Sequence, residues 1–193
     1  FPATGRVKGA WVADFDGDGM EDIVFISNGV FGVYRNKGVT VNGGSTPDTF
    51  LGFESLSNVG DISDMTSLDE QYGLVTVQNV SGREASAIDI NGDGRTDILV
   101  KISKGTCSIG GFETAGECRY EGGSWSTTSE WRIYSSNGTA LSLAWSMNTV
   151  SGMANMRPVD LNGDGYTDLM YQIGTTWYYR ISNGITLQAQ RSS

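Results

Sequence analysis

The chain has 193 residues, 38% of them hydrophobic, which is the composition of a folded domain or a short array of repeats rather than a disordered chain. Its formal net charge is −9 and its 13 Lys and Arg residues are scattered, which argues against a surface that tracks nucleic-acid phosphates or an anionic membrane. The absence of His removes the commonest general base, zinc ligand and pH switch at once.

Residues 7–13, Val-Lys-Gly-Ala-Trp-Val-Ala, lead into Asp14-Phe-Asp-Gly-Asp-Gly-Met-Glu-Asp22, and the near-continuous apolar run Asp22-Ile-Val-Phe-Ile-Ser follows. This spells strand, loop, strand. The same phrase returns as Ala85–Ile90, loop Asp89–Asp97 and the run Asp97-Ile-Leu-Val-Lys-Ile. It returns again as Pro158–Leu161, loop Asp160–Asp168 and the run Asp168-Leu-Met-Tyr-Gln-Ile. Exit strands with consecutive apolar residues are expected to be buried on both faces.

An aromatic third strand follows each pair, starting at Phe31, Trp131 and Trp177, and two of the three end in Ser-Asn-Gly at residues 136–138 and 182–184. Asn-Gly favours tight hairpins because both central residues there need positive φ. A fourth strand is expected at 39–41 or 50–53 in the first unit, at 140–145 in the second and at 185–189 in the third. Differences in spacing are expected to fall in loops at 42–49, 57–72 and 103–129. No helix longer than a turn or two is expected, because no sustained 3.6-residue periodicity is present.

Four hairpin-linked antiparallel strands per unit describe a propeller blade. The predicted fold is therefore all-β, with about three four-stranded β-propeller blades at roughly 5–58, 80–147 and 150–193, filling residues 1–193 as one region. Propellers close with 4 to 8 blades, so three units imply a part of a larger propeller, a ring completed by association of copies, or an open array.

Each loop places oxygen side chains at offsets 0, 2, 4 and 8, the spacing that wraps a chain around a hard dication. The expected ligands are Asp14, Asp16, Asp18 and Asp22; Asp89, Asn91, Asp93 and Asp97; and Asp160, Asn162, Asp164 and Asp168. The main-chain carbonyls of Met20, Arg95 and Tyr166 complete the three sites. Glycine at the sixth position, Gly19, Gly94 and Gly165, permits the sharp turn. The expected cofactor is Ca²⁺ at about three sites, since Mg²⁺ dehydrates reluctantly and demands stricter geometry. Ten of the 22 acidic residues are loop aspartates, and three dications, six charges, would take −9 to −3. An acidic Asx-type turn without metal is the bland alternative for one such loop, and triplication disfavours it.

The loops look at first like the start of an EF-hand, yet the twelfth position, where an EF-hand needs Glu, is Phe25, Val100 and Tyr171, and the flanks read as strands. The residues Asp14–Asp22, Asp89–Asp97 and Asp160–Asp168, each followed by its apolar strand, resemble the FG-GAP or VCBS-type calcium-binding repeats. That resemblance implies propeller blades with Ca²⁺ bound between a blade's first two strands, as in integrin α-subunit heads, some lectins and lyases, and bacterial toxin, Rhs-like or SpvB-like propellers. It is silent on the ligand.

The function expected from these residues is a calcium-binding structural or protein-interaction module, of adhesion or toxin-scaffold type, in a secreted or surface protein, with no catalysis. The alternative is a calcium-dependent, lectin-like carbohydrate binder using Trp11, Trp125, Trp131, Trp145 or Trp177. Trp131 and Trp177 are expected in the blade core, which leaves Trp125 as the better sugar platform. Lys8, Lys37, Lys101, Lys104, Asp61, Asp64, Asp69 and Glu70 have no special setting and read as solvated charges. The partner is a protein or a glycan, with self-association or packing against missing blades as further options; neither nucleic acid nor a membrane span is expected.

Cys107 and Cys118 either close a small loop as a disulfide or stay as thiols. Asn79 and Asn137 sit in Asn-x-Ser/Thr triplets. The start at Phe1-Pro2, with no Met and no signal-like apolar block, is read as that of an excised or processed piece.

Overall fold

The structure is a computed structural model and describes residues 7–27, 30–44, 48–61, 75–76, 85–110 and 115–192. Among these the chain is almost wholly β, forming four antiparallel sheets. The first sheet runs in the order β1 (Val7–Ala13), β2 (Asp22–Ser27), β3 (Val30–Asn36), β6 (Phe53–Asp61). A small hairpin, β4 (Val39–Thr40) with β5 (Thr49–Phe50), stands apart as its own two-stranded sheet.

In the second sheet β9 (Asp97–Cys107) pairs β8 (Ala85–Ile88) and β7 (Val75–Thr76) along one edge and β10 (Trp125–Ser136) along the other, with β11 (Leu141–Asn148) outside β10. The third sheet is β12 (Met153–Val159), β13 (Asp168–Ile173), β14 (Thr176–Arg180) and β15 (Arg191–Ser192). The oxygen-rich loops join β1 to β2, β8 to β9 and β12 to β13, each linking two paired antiparallel strands.

Two cores lie between the sheets. Val24, Phe31 and Val33 of the first sheet meet Ile98, Val100, Ile102 and Tyr134 of the second in one cluster. Leu99, Trp131 and Ile133, from the opposite face of that second sheet, meet Leu169 and Tyr171 of the third in another. Strand β9 thus sends Ile98 and Val100 to one core and Leu99 to the other, which is why its sequence is apolar without alternation. The side chains of Val24, Phe31, Ile98, Ile133 and Leu169 have zero exposure, and burial of residues this size stabilises by about 1.5–3 kcal/mol each.

Several strand positions differ from expectation. In the first unit the fourth strand is β6, since residues 39–50 fold on themselves as the hairpin. In the third unit residues 185–189 contribute only a single bridge, Ser182 to Leu187, whose Leu187 side chain enters the second core; β15 takes the edge of the sheet instead. The interval 103–129 is only partly a loop, because β9 and β10 continue to Cys107 and Trp125, and residues 57–61 likewise belong to β6. The end of this long hairpin is closed by a Cys107–Cys118 disulfide, with the short helix α1 (Ala115–Tyr120) beside it. Gly123 is required there, because a Cβ on it would sit 2.7 Å from Cys107 Sγ and 2.8 Å from Cys118 Sγ.

Candidate metal centre

The three loops share one hydrogen-bond plan. The carboxylate at position 1 accepts two loop glycine N–H groups: Gly17 (2.8 Å) and Gly19 (2.9 Å) donate to Asp14, Gly92 (2.7 Å) and Gly94 (3.1 Å) to Asp89, and Gly163 (2.7 Å) and Gly165 (3.0 Å) to Asp160. Those glycines have φ between 71° and 87°, a left-handed conformation that a Cβ disfavours. Position 3 (Asp16, Asn91, Asn162) accepts the N–H of position 5, and position 5 (Asp18, Asp93, Asp164) accepts the N–H of position 7. Every second side chain is thereby turned to the inside of the loop.

In the first loop this brings carboxylate oxygens of Asp14, Asp16 and Asp18 within 4.8 Å of one another. Three carboxylates at that separation repel unless a cation lies among them, and oxygen donors are what Ca²⁺ selects. In the second and third loops Asn91 and Asn162 stand at position 3 and donate through Nδ2 to Asp93 (3.0 Å) and Asp164 (2.8 Å), so one of the three charges is removed. Asp93 also pairs with Arg95 at 2.6 Å. Near the first loop, Arg35 lies 3.6 Å from Asp16 and also pairs with Glu54. The donor set of each loop fits a hard dication, most directly in the first.

Position 9 has a task that its spacing did not announce, and Asp22 is not part of the Asp14, Asp16 and Asp18 group. Asp22, Asp97 and Asp168 have zero solvent exposure. Each Oδ2 accepts the N–H of position 2, from Phe15 (3.1 Å), Ile90 (3.0 Å) and Leu161 (2.9 Å). Each Oδ1 accepts the N–H at the turn after the third strand, from Asn36, Ser136 and Ser182, all at 2.7 Å. One carboxylate thus ties three segments of a sheet together. Burial pushes the carboxyls of Asp22 and Asp97 up, and their two backbone hydrogen bonds oppose that rise. Asp160 is held below the usual carboxylate range, chiefly by the Gly165 N–H.

Met20, Arg95 and Tyr166, expected to act through their carbonyls, also cover glycines with their side chains. A Cβ on Gly38 would meet Met20 Sδ at 2.9 Å, and one on Gly184 would meet Tyr166 Cζ at 3.0 Å. The loops are also joined from unit to unit. Thr96 N donates to Asp14 O (2.7 Å) and Thr167 N to Asp89 O (2.9 Å). Ser136 Oγ donates to Phe15 O (2.7 Å) and Ser182 Oγ to Ile90 O (2.8 Å). These links were missed in the sequence, although Thr at position 8 and Ser before Asn-Gly recur in the second and third units.

The tryptophans are spread rather than gathered. Trp131 lies in the second core, and Trp11 and Trp145 pack against the cores; the Arg180 guanidinium sits 5.8 Å over the Trp145 ring. Trp177 departs from the expected core position: it is half-buried on the outer face of the third sheet, which no further sheet among the described residues covers. Trp125 lies against Gly105, where a Cβ would approach its ring to 2.0 Å, so one of its faces is occupied.

Among the spare charges, Lys37 is exposed and Lys101 is half-buried on β9. Asp64, Asp69, Glu70 and Asn79 lie outside the described residues, as do the side chains of Lys8, Asp61 and Lys104. Asn137 is exposed in its turn, where its Oδ1 accepts the N–H groups of Thr139 and Ala140.

Comparison with models of known protein families finds no match, and comparison with curated proteins finds none either. Among solved structures, the chain is similar to one described as the basis of specific recognition of non-reducing terminal N-acetylglucosamine by an Agrocybe aegerita lectin. The identity is 16% and the TM-score 0.34, over 95% of this chain and 51% of that one, so the chain spans about half the length of that structure.

Proposed function

We propose that the chain is a calcium-stapled region of β-propeller blades that serves as a structural and protein-interaction module of a secreted or surface protein, without catalysis. The observation that carries this reading is the convergence of Asp14, Asp16 and Asp18 within 4.8 Å, in a loop whose hydrogen-bond plan is repeated twice more. Calcium in each loop would neutralise charge and fix the join between first and second strands, and it would stabilise the fold by mass action because the unfolded chain holds no such site. The resemblance to FG-GAP or VCBS-type repeats rests on the same residues, and the disulfide supports an oxidising location.

The test is differential scanning calorimetry of the whole chain in chelator and in calcium. At a free concentration 100 times Kd, one site adds about 2.7 kcal/mol, and each kcal/mol raises Tm by about 2–4 °C in a chain of this size. Identical melting in both conditions would remove the metal from the account.

A second reading, carbohydrate binding, is favoured by a cleft of about 750 Å³ at the join of the second and third sheets, lined by Ser86, Lys101, Ser129, Thr149, Asn155 and Arg157 with Trp131 at its wall. Hydroxyl, amide and cationic groups there suit sugar hydroxyls. Asn155 has φ 54°, at the bulge where β12 loses register with β13. A glycan array without hits in either calcium or chelator would discard this reading.

A further inference from the structure

The contact between neighbouring sheets is the same contact made twice. Five matched positions of the first sheet, Ala13, Phe15, Val24, Phe31 and Val33, are buried under the second. The corresponding positions of the second sheet, Ile88, Ile90, Leu99, Trp131 and Ile133, are buried under the third. Beside each apolar face run three links at the loops. The N–H of loop position 8 in the later unit bonds to the carbonyl of position 1, the turn Ser hydroxyl bonds to the carbonyl of position 2, and the side chain at position 7 covers the glycine at position 4. A Cβ on Gly17 would lie 2.9 Å from Arg95, and one on Gly92 would lie 2.7 Å from Tyr166.

The third unit repeats the receiving half of this contact. Its five matched positions are Val159, Leu161, Met170, Trp177 and Tyr179, all apolar or aromatic. No sheet of the described residues covers them: Leu161 is 43% exposed where Phe15 is 0% and Ile90 is 8%, and the other four are only half-buried. Leu161, Met170, Trp177 and Tyr179 line one groove of that face. Among the described residues nothing lies within 4 Å of a Cβ placed on Gly163, and Asp160 is exposed where Asp14 and Asp89 are half-buried.

We infer that the outer face of the third sheet is a docking surface for one further strand-loop-strand unit of the same design, carrying a long side chain, an N–H donor and a turn hydroxyl at the three matched positions. The occupant follows from continuity with the two interfaces already formed. A second copy of the chain is the poorer fit, because its first unit presents Asn36 where the turn Ser supplies the hydroxyl link. That unit also covers its own sheet, with the Phe25 ring over Gly32 and stacked on Tyr34 at 5.2 Å.

The test is a chain extended by a duplicate of residues 150–193, studied in calcium and in chelator so that failure of metal binding and failure of docking are told apart. The duplicate supplies Tyr166, Thr167 and Ser182 to Gly163 and to the carbonyls of Asp160 and Leu161 of the original third unit. The expected result is a blue shift of Trp177 emission, with amide exchange at the duplicate's Thr167 slowed about tenfold, the factor one hydrogen bond supplies. Both effects should be lost when Leu161→Asp is placed in the original unit.

Unchanged emission and exchange would overturn the inference, as would a duplicate that adds no strand signal in circular dichroism. Sedimentation of the unextended chain provides the remaining arm. A monomer agrees with the assignment, whereas a dimer dissolved by Leu161→Asp would give the face to a second copy and overturn it.

Discussion

The buried aspartate at position 9 can be separated experimentally from the exposed loop ligands. In Asp97→Asn the side-chain volume is kept, but one of the two oxygens that accept Ile90 N (3.0 Å) and Ser136 N (2.7 Å) becomes an NH₂ group facing an N–H donor. Hydrogen bonds to a charged acceptor are worth about 1.5–3 kcal/mol each. Part of that is already offset by desolvation, which pushes the Asp97 carboxyl up.

The net loss expected is about 2 kcal/mol in chelator, equivalent to a fall in Tm of about 4–8 °C for a chain of this length. Urea denaturation followed by circular dichroism measures it. Asp164→Asn is the contrast: Asp164 is exposed, its Oδ1 role toward Tyr166 N survives in the amide, and only the solvent-exposed bond from Asn162 Nδ2 to its Oδ2 is lost. It should change stability in chelator by less than about 0.5 kcal/mol, yet reduce the increment gained on adding calcium. Equal effects of the two substitutions in chelator would refute the division between clamp and ligand.

Four further outcomes are expected. Since burial raises the carboxyls of Asp22 and Asp97 in the folded chain, the metal-free protein takes up protons there more readily than the unfolded chain does. Stability from these two groups should therefore rise as pH falls from above their folded pKa toward 3.8. Asp160, held low, acts with the opposite sign, its contribution being lost as pH falls below 3.8; melting in chelator across that range checks both. Calcium's own increment should shrink on acidification, because protons compete for the same oxygens. Gly60→Ala places a Cβ 2.4 Å from Leu141 O across the first interface and should cost about 1–3 kcal/mol, read from the urea midpoint. Removing the Cys107–Cys118 crosslink, which spans 11 residues, should cost at most roughly 3 kcal/mol, measured by melting the double Ser variant.

How much of this was legible in the sequence depends on whether the signal was local. The loops were legible because Asp, Asn and Gly at fixed offsets encode backbone turns and oxygen donors within nine residues. The double burial of β9 was legible in Ile-Leu-Val. The fourth strands were less so: residues 39–50 have the composition of a sheet edge but pair with each other, and Leu187 is spent on the core rather than on a ladder. The clamping role of Asp22, Asp97 and Asp168 was hidden because one partner, the N–H after the third strand, is 14 residues away in the first and third units and 39 in the second. Trp177 was expected in the core by its match to Trp131, and the match holds. What differs is that no sheet among the described residues lies over it, which no property of its own unit records.

If the three oxygen-rich loops hold calcium, the metal must bind the folded chain in solution. Isothermal titration of the chelator-stripped chain with CaCl₂ tests it most directly. The account predicts saturable binding with a stoichiometry near three, reduced by about one in Asp18→Asn, which breaks the Asp14, Asp16 and Asp18 cluster. A chain that gives no saturable heat, and melts at the same temperature with and without calcium, would contradict it.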